Sequence, residues 1–215
     1  MKSEEKRILC YGDSNTWGYM PGTGERYDRH TRWPGRLEDL TGYESAEEGL
    51  NGRTTMFEEQ PGDYRNGLAP IEPIVLSQRP LAWMIFMLGS NDTKWFYKVS
   101  PEQIAYGMSR IIKKARACCA AKGEFPQVLL IAPPFMQVPE GDLEFNAESE
   151  EKVRALEPLY ERLAEKTGCV FLRASDAVKE IGSDGVHMTA EGHRCLAEAA
   201  AEIIKKEPER TKKDR

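Results

Sequence analysis

No stretch of this sequence approaches the roughly eighteen unbroken apolar residues of a membrane-spanning helix. After the charged segment 1–7 only Ile8, Leu9, Cys10 and Tyr11 follow as an apolar run, too short for the core of a secretory signal. A cytoplasmic chain without a membrane partner is expected. Cysteine is sparse, with five residues (Cys10, Cys118, Cys119, Cys169 and Cys195) and no C-x-x-C spacing, so neither a disulfide framework nor a zinc site is expected. Positive charge is not in excess: 30 Lys and Arg stand against 35 Asp and Glu, a formal net charge of -5, which lacks the electrostatic footprint of a nucleic-acid binder. Internal repeats and low-complexity blocks are missing too. Histidine occurs only three times, as His30, His187 and His193, which narrows any search for a general base.

What is present describes one folded domain. The 215 residues are 40% hydrophobic and 30% charged, enough apolar material for a sizeable core under a well-solvated surface. A single domain over residues 1–206 is expected, with a charged, solvated tail over 207–215. Short apolar runs alternate with helical periodicity, the pattern of parallel strands joined by crossover helices. It predicts strands at 7–11, 43–47, 83–88, 128–131 and 170–172, the second interrupted by Glu44 and Glu47. Helices are predicted at 33–40, 68–78 (with Pro70 and Pro73 near its start), 101–121, 148–166 and 189–206. Ser100, Pro101 and Gln103 form a helix-start signature, and Gly123 and Gly168 mark stops. Pro158 should kink or shorten its helix, and the last helix should present Leu196, Ala199, Ala200 and Ile203 to the sheet.

The first strand runs directly into Gly12-Asp13-Ser14-Asn15-Thr16. A glycine permits a sharp turn there, and the serine hydroxyl is presented at the carboxyl end of a strand, as a nucleophile would be; an ordinary turn with a solvated serine is the competing reading. Activation requires a base. His30 lies in a charged loop and should face solvent, and His193 falls within the last helix as a surface or partly buried structural residue. His187 ends Asp184-Gly185-Val186-His187, where an aspartate three residues earlier can curl back onto one ring nitrogen and leave the other free. The third strand ends in Leu88-Gly89-Ser90-Asn91-Asp92, and the second is followed by Glu48-Gly49-Leu50-Asn51-Gly52-Arg53-Thr54-Thr55. An asparagine amide and a glycine N–H at such ends can serve an oxyanion.

Together the four blocks resemble the SGNH hydrolases, the GDSL esterase and lipase family, and their surroundings look most like its oligomeric arylesterase and acetylesterase branch. The resemblance implies a flavodoxin-like, three-layer α/β/α fold with a five-stranded parallel sheet. It implies Ser14 as nucleophile, His187 as general base and Asp184 as its orienting partner. The oxyanion hole would comprise the N–H groups of Ser14 and Gly52 and the amide of Asn91; Gly49 is the other glycine in that loop, and Gly52 fits by its spacing from Thr54. No cofactor and no metal are implied. Substrates would be small-molecule carboxylic esters with short, acetyl-type acyl groups on aryl or carbohydrate alcohols, and the protein would be a homo-oligomer.

Asp13, Trp17, Arg53 and Trp95 are candidate pocket residues, with Tyr19, Phe96, Tyr97 and Phe135 as further aromatics on the same loops. A lysophospholipase or thioesterase using the same residues on longer chains is the nearest alternative, and a non-catalytic binding module the more distant one. Cys118 and Cys119, late in a predicted helix, are expected to pack rather than react.

Overall fold

The computed structural model describes residues 7–60 and 62–207; the predicted tail therefore lies almost wholly outside the described residues. Five strands, β1 (Arg7–Gly12), β2 (Glu44–Gly49), β3 (Leu81–Met87), β4 (Gln127–Ala132) and β5 (Val170–Arg173), form one sheet in the order β2-β1-β3-β4-β5. Every pairing is parallel. The helices are α1 (Ser14–Trp17), α2 (Trp33–Thr41), α3 (Ile71–Gln78), α4 (Pro101–Ala120), α5 (Ala147–Thr167), α6 (Ala174–Ala177) and α7 (Ala190–Lys206).

Alternation along the strands builds two apolar layers. Leu9, Tyr11, Met84, Phe86 and Leu130 face α3, α4 and α5. Ile8, Cys10, Trp83, Ile85, Leu129 and Ile131 face α2, α6 and α7. The central strands are buried on both faces, as expected for a parallel sheet sandwiched between helices. Cys119 is fully buried in the first layer and Cys118 packs against it.

Several elements depart from the sequence pattern for identifiable reasons. β2 tolerates its glutamates because it is an edge strand: Glu44 pairs with Arg7 at 3.0 Å, and Glu47 lies against Arg26 and Arg32. α3 starts at Ile71 rather than 68, because Asn66 Oδ1 accepts the Leu68 and Ala69 N–H groups at 2.9 and 3.3 Å and holds them in a turn. α5 is not shortened by Pro158. Pro158 and Arg154, whose carbonyl loses its helical donor, are both exposed to water, while Val153, Leu156 and Tyr160 secure the opposite face. α7 is rotated from the expected face: His193, Leu196, Ala197, Ala200, Ala201 and Ile204 are buried, leaving Ala199 and Ile203 at the margin.

The chain leaves β1 toward β2 on one side and returns to β3 on the other, so the order reverses between β1 and β3. The carboxyl ends of strands at such a switch point form a ready crevice.

Candidate active site

Gly12 ends β1 where no side chain fits: a Cβ there would lie 2.0 Å from Thr16 Oγ1 and 2.8 Å from the Met87 carbonyl. Asp13 then caps α1, accepting the Asn15 N–H at 3.0 Å. Ser14 is the first residue of this one-turn helix and is 6% exposed. Gly18, at φ 90°, ends the turn in a left-handed conformation suited to glycine.

The second part of the site arrives near the other end of the chain. Asp184 Oδ1 accepts the Val186 and His187 N–H groups at 3.0 and 2.9 Å, while Oδ2 lies 2.8 Å from His187 Nδ1. His187 Nε2 lies 2.9 Å from Ser14 Oγ. Partial burial pushes the Asp184 carboxyl upward, but the hydrogen bonds from the His187 ring, the His187 N–H and the Val186 N–H outweigh it and hold the group down to about 2. It is therefore ionised at neutral pH. Gly185, at φ 70°, gives the loop a close approach, since a Cβ there would meet the Gln137 carbonyl at 2.0 Å.

Two residues whose contacts the sequence did not reveal complete this side. Asn15 reaches across 171 residues to donate to the Val186 carbonyl at 3.3 Å and accepts the Met188 N–H at 2.9 Å. Tyr19 stacks on the His187 ring with centroids 4.1 Å apart and an interplanar angle of 27°.

The loops after β2 and β3 close the other side. Leu50 donates its N–H to the Gly12 carbonyl at 3.2 Å. Asn91, 6% exposed, donates one amide hydrogen to the Arg53 carbonyl at 3.2 Å, leaving the second hydrogen of that amide for a ligand. Among the described residues, neither the Ser14 nor the Gly52 N–H has an acceptor. The two glycines of the β2 loop differ sharply: a Cβ at Gly49 would strike the Trp17 N at 2.2 Å, so Gly49 serves close packing of α1 on β2. Gly52, at φ 76°, is half-buried and borders a cleft of about 470 Å³ that Arg65, Lys94, Tyr97 and Glu144 also line.

Asp13 and Arg53, expected in the substrate pocket, lie beneath it instead, 1% and 5% exposed. The Arg53 guanidinium is occupied by the Gly12 carbonyl at 2.9 Å and by the Glu48 carbonyl, and sits 4.2 Å from the Tyr11 ring centroid. Burial pushes Asp13 up to about 6. Asp92, fully buried, is pushed up to about 7 by burial against the opposing effect of Thr55, whose N–H and hydroxyl it accepts. It thereby fastens the β2 loop to the β3 loop.

Trp17 lies half-buried beside Tyr19, under the Arg26 guanidinium at 5.2 Å. Trp95 is 49% exposed on the rim, its indole N–H donating to the Leu143 carbonyl at 3.0 Å. Neither lines the cleft beside Gly52. Phe135 packs under Arg154 against a satellite apolar cluster that includes Met136 and Val186. His30 is exposed and pairs with Asp39 at 2.9 Å. His193, expected at the surface or partly buried, is wholly buried, its Nδ1 accepting the Trp33 N–H at 3.3 Å. Burial, with smaller electrostatic contributions from His187 and Arg32, drives it down to about 3 and keeps it neutral. No group of histidine, cysteine and carboxylate side chains able to hold a metal ion occurs among the described residues.

A hydroxyl, an imidazole and a carboxylate in hydrogen-bonded series, beside free N–H donors, form an arrangement suited to attack on a carbonyl. Residues 10–195 match the model of the GDSL-like Lipase/Acylhydrolase family. Among solved structures, a carbohydrate acetylesterase from Sinorhizobium meliloti is 35% identical with a TM-score of 0.86, covering 94% of this chain and 99% of its own. The aryl esterase of M. smegmatis is 33% identical with a TM-score of 0.87, over 94% and 99% of the two chains. A second carbohydrate acetylesterase family member from Sinorhizobium meliloti is 30% identical with a TM-score of 0.85, over 94% and 98%. Among curated proteins none matches the sequence.

Proposed function

The chain belongs to the GDSL-like lipase/acylhydrolase family, serine esterases that act on carboxylic esters, and from that premise we propose that it hydrolyses short-chain, acetyl-type esters with Ser14 as nucleophile. The observation that carries this reading is the continuous relay from Ser14 Oγ to His187 Nε2 at 2.9 Å and from His187 Nδ1 to Asp184 Oδ2 at 2.8 Å.

Ser14 Oγ attacks the ester carbonyl while His187 Nε2 takes its proton. Asp184, ionised, accepts the Nδ1–H and steadies the imidazolium that forms. The negative charge on the former carbonyl oxygen is met by the N–H groups of Ser14 and Gly52 and by the Asn91 amide. His187 then protonates the departing alkoxide, leaving an acyl-Ser14 intermediate. Water attacks that acyl carbonyl, His187 receives the water proton and returns one to Ser14 Oγ, and the acid leaves. His187 thus acts as base and acid in turn, and each half-reaction passes through the same donor set.

Acyl chain length is the finer part of the reading. The neighbouring structures are described as an aryl esterase and carbohydrate acetylesterases, which supports short acyl groups on either kind of alcohol. The cleft beside Gly52 is bordered by Arg65, Lys94 and Glu144, a charged lining that favours polar groups over a long alkyl chain. A homo-oligomer belongs to the same reading, supported by the exposed apolar rim of Trp95 and Leu143, 49% and 86% accessible.

The test is hydrolysis of p-nitrophenyl esters from acetate to long-chain acyl by the wild type and by Ser14→Ala, with folding checked by circular dichroism. We expect activity that is greatest on acetate, declines with chain length and falls by at least roughly 1000-fold in Ser14→Ala. Activity rising with chain length would move the assignment to a lysophospholipase or thioesterase. Equal activity in the variant would remove Ser14 from the mechanism.

A further inference from the structure

The Gly52 N–H can meet an oxyanion only if the peptide between Asn51 and Gly52 faces the right way. Residues 50–53 form a β-turn closed by the Arg53 N–H, which donates to the Leu50 carbonyl at 3.0 Å. Gly52 has φ 76°, whereas Asn51 is not among the described residues of positive φ. That combination defines a type II turn, which requires glycine-like freedom at its third position. Types I and II share the same closing bond and differ chiefly in the orientation of the central peptide, which is turned over between them. In the type I form the Asn51 carbonyl would occupy the direction now taken by the Gly52 N–H, presenting an oxyanion with a dipole of the wrong sign.

One side chain holds the observed orientation. The N–H and C=O of a trans peptide point in opposite directions, so a donor on the Asn51 carbonyl fixes where the Gly52 N–H points. Arg65 Nη1 is that donor. The Arg65 side chain lies along the turn, with Cδ and Nε both 3.5 Å from where a Gly52 Cβ would stand. Its backbone is anchored nearby: the Arg65 carbonyl accepts the Thr54 N–H at 2.9 Å and the Thr54 hydroxyl at 3.3 Å, and the Gly67 N–H returns to the Thr54 carbonyl at 3.1 Å. Asp63 Oδ1 accepts the Arg65 N–H at 3.1 Å. The guanidinium is thus delivered from a second loop strapped to the residue two positions beyond Gly52.

We propose that Arg65 is a positioning residue for the oxyanion hole, locking the Asn51–Gly52 peptide in its type II orientation and polarising that amide toward the developing charge. The inference rests on the reading of Gly52 as an oxyanion donor. Arg65 does not touch the reacting atoms; it acts through the peptide it holds. A charged donor on a carbonyl makes the attached N–H a stronger donor in turn. Because the charge appears only as the carbonyl is attacked, the contribution belongs in kcat rather than KM.

The test compares Arg65→Met, which keeps the length of the apolar stem and removes the donor, with Arg65→Lys, which restores a donor. Rates are normalised to sites titrated with a fluorophosphonate, and a trifluoromethyl ketone, whose serine adduct carries an alkoxide, probes the hole directly. We expect Arg65→Met to lower kcat on p-nitrophenyl acetate roughly 10- to 100-fold, less than the full loss of one donor, with KM within about twofold. The ketone should bind more weakly by a similar factor, and Arg65→Lys should recover part of both. A purely structural role would instead reduce the number of titratable sites or the melting temperature and leave the rate per site unchanged. Wild-type kcat per site and undiminished ketone affinity in Arg65→Met would overturn the proposal. Should Arg65→Met not fold, Arg65→Leu, which likewise carries no donor, provides the same readings. An inactive Ser14→Ala beside a fully active Arg65→Met would refute the Arg65 role alone, whereas an active Ser14→Ala would refute the esterase mechanism on which it rests.

Discussion

Asn15 joins the two halves of the relay. Its side chain donates to the Val186 carbonyl and accepts the Met188 N–H, so the residue after Ser14 holds the residues on both sides of His187. Removing it leaves a buried backbone N–H without its partner, at a cost of about 1–3 kcal/mol, and frees the imidazole to drift. Asn15→Ala should therefore lower kcat by on the order of 10- to 100-fold while KM changes little, and steady-state kinetics alongside urea denaturation would measure both effects. Asn15→Asp retains the acceptor for Met188 but not the donor for Val186, and should lie between Asn15→Ala and wild type. Ser14 and the Asp184–His187 pair, which the structure joins in one hydrogen-bonded series, stood out in the sequence through a strand end and a three-residue spacing, whereas Gly52 and Asn91 were singled out through the family resemblance. The parts played by Asn15 and Arg65, and the stacking of Tyr19 on His187, were not legible, since what matters about these residues is which loop they meet. For Asn15 that partner lies 173 residues away at Met188. Arg53 misled for the complementary reason: an arginine in a site loop suggests a substrate contact, yet two backbone carbonyls and the Tyr11 ring bury it.

At the scale of elements, strands were easier to recognise than their surroundings. The apolar runs of β1, β3 and β4 mark strands that are buried apart from Arg7 at the start of β1, and the runs themselves locate them. β2 was harder, because an edge strand can carry glutamates that salt bridges to Arg7, Arg26 and Arg32 accommodate. The buried face of α7 was misplaced because His193 was read as a surface or partly buried residue, whereas it is wholly buried and its Nδ1 accepts the Trp33 N–H at the start of α2. Pro158 in α5 was expected to disturb a helix that the buried side of Val153, Leu156 and Tyr160 maintains. The cost remains even so, because the Arg154 carbonyl has lost its helical donor. Pro158→Ala should stabilise the protein by about 1–3 kcal/mol without altering esterase activity, readable as a raised melting temperature. An unchanged or lowered melting temperature would show that the rigid residue stabilises more through the unfolded chain than it costs in the helix.

For the whole molecule, buried titratable groups set opposing pH dependences. Asp92 has a folded value near 7 against an ordinary 3.8, so the folded state binds more protons than the unfolded one between about pH 4 and 7, and stability falls as pH rises through that window. Asp13, near 6, acts in the same direction. His193 runs the other way: its folded value near 3 lies below the ordinary 6.5, so the unfolded state takes up the proton first and stability rises with pH between about 3 and 6.5. Asp184, near 2, adds stability that is present above about pH 4 and lost as pH falls toward 2. The slopes of Asp92 and His193 partly cancel in the wild type. Asp92→Asn should expose the difference, its unfolding free energy climbing more steeply with pH than that of the wild type from about 4 to 7. Urea denaturation at a series of pH values would reveal it, and parallel profiles would contradict the assignment.

The relay also divides the chain in an informative way. Ser14, Gly52 and Asn91 precede β4, whereas Asp184 and His187 follow it, and between the two groups the chain passes through a water-exposed stretch around Gly141. A break of the backbone there yields one fragment that carries Ser14, Gly52 and Asn91 and another that carries Asp184 and His187. Neither possesses the chemistry alone. On the proposed mechanism, ester turnover would require both fragments and would report their reassembly as a complementation signal.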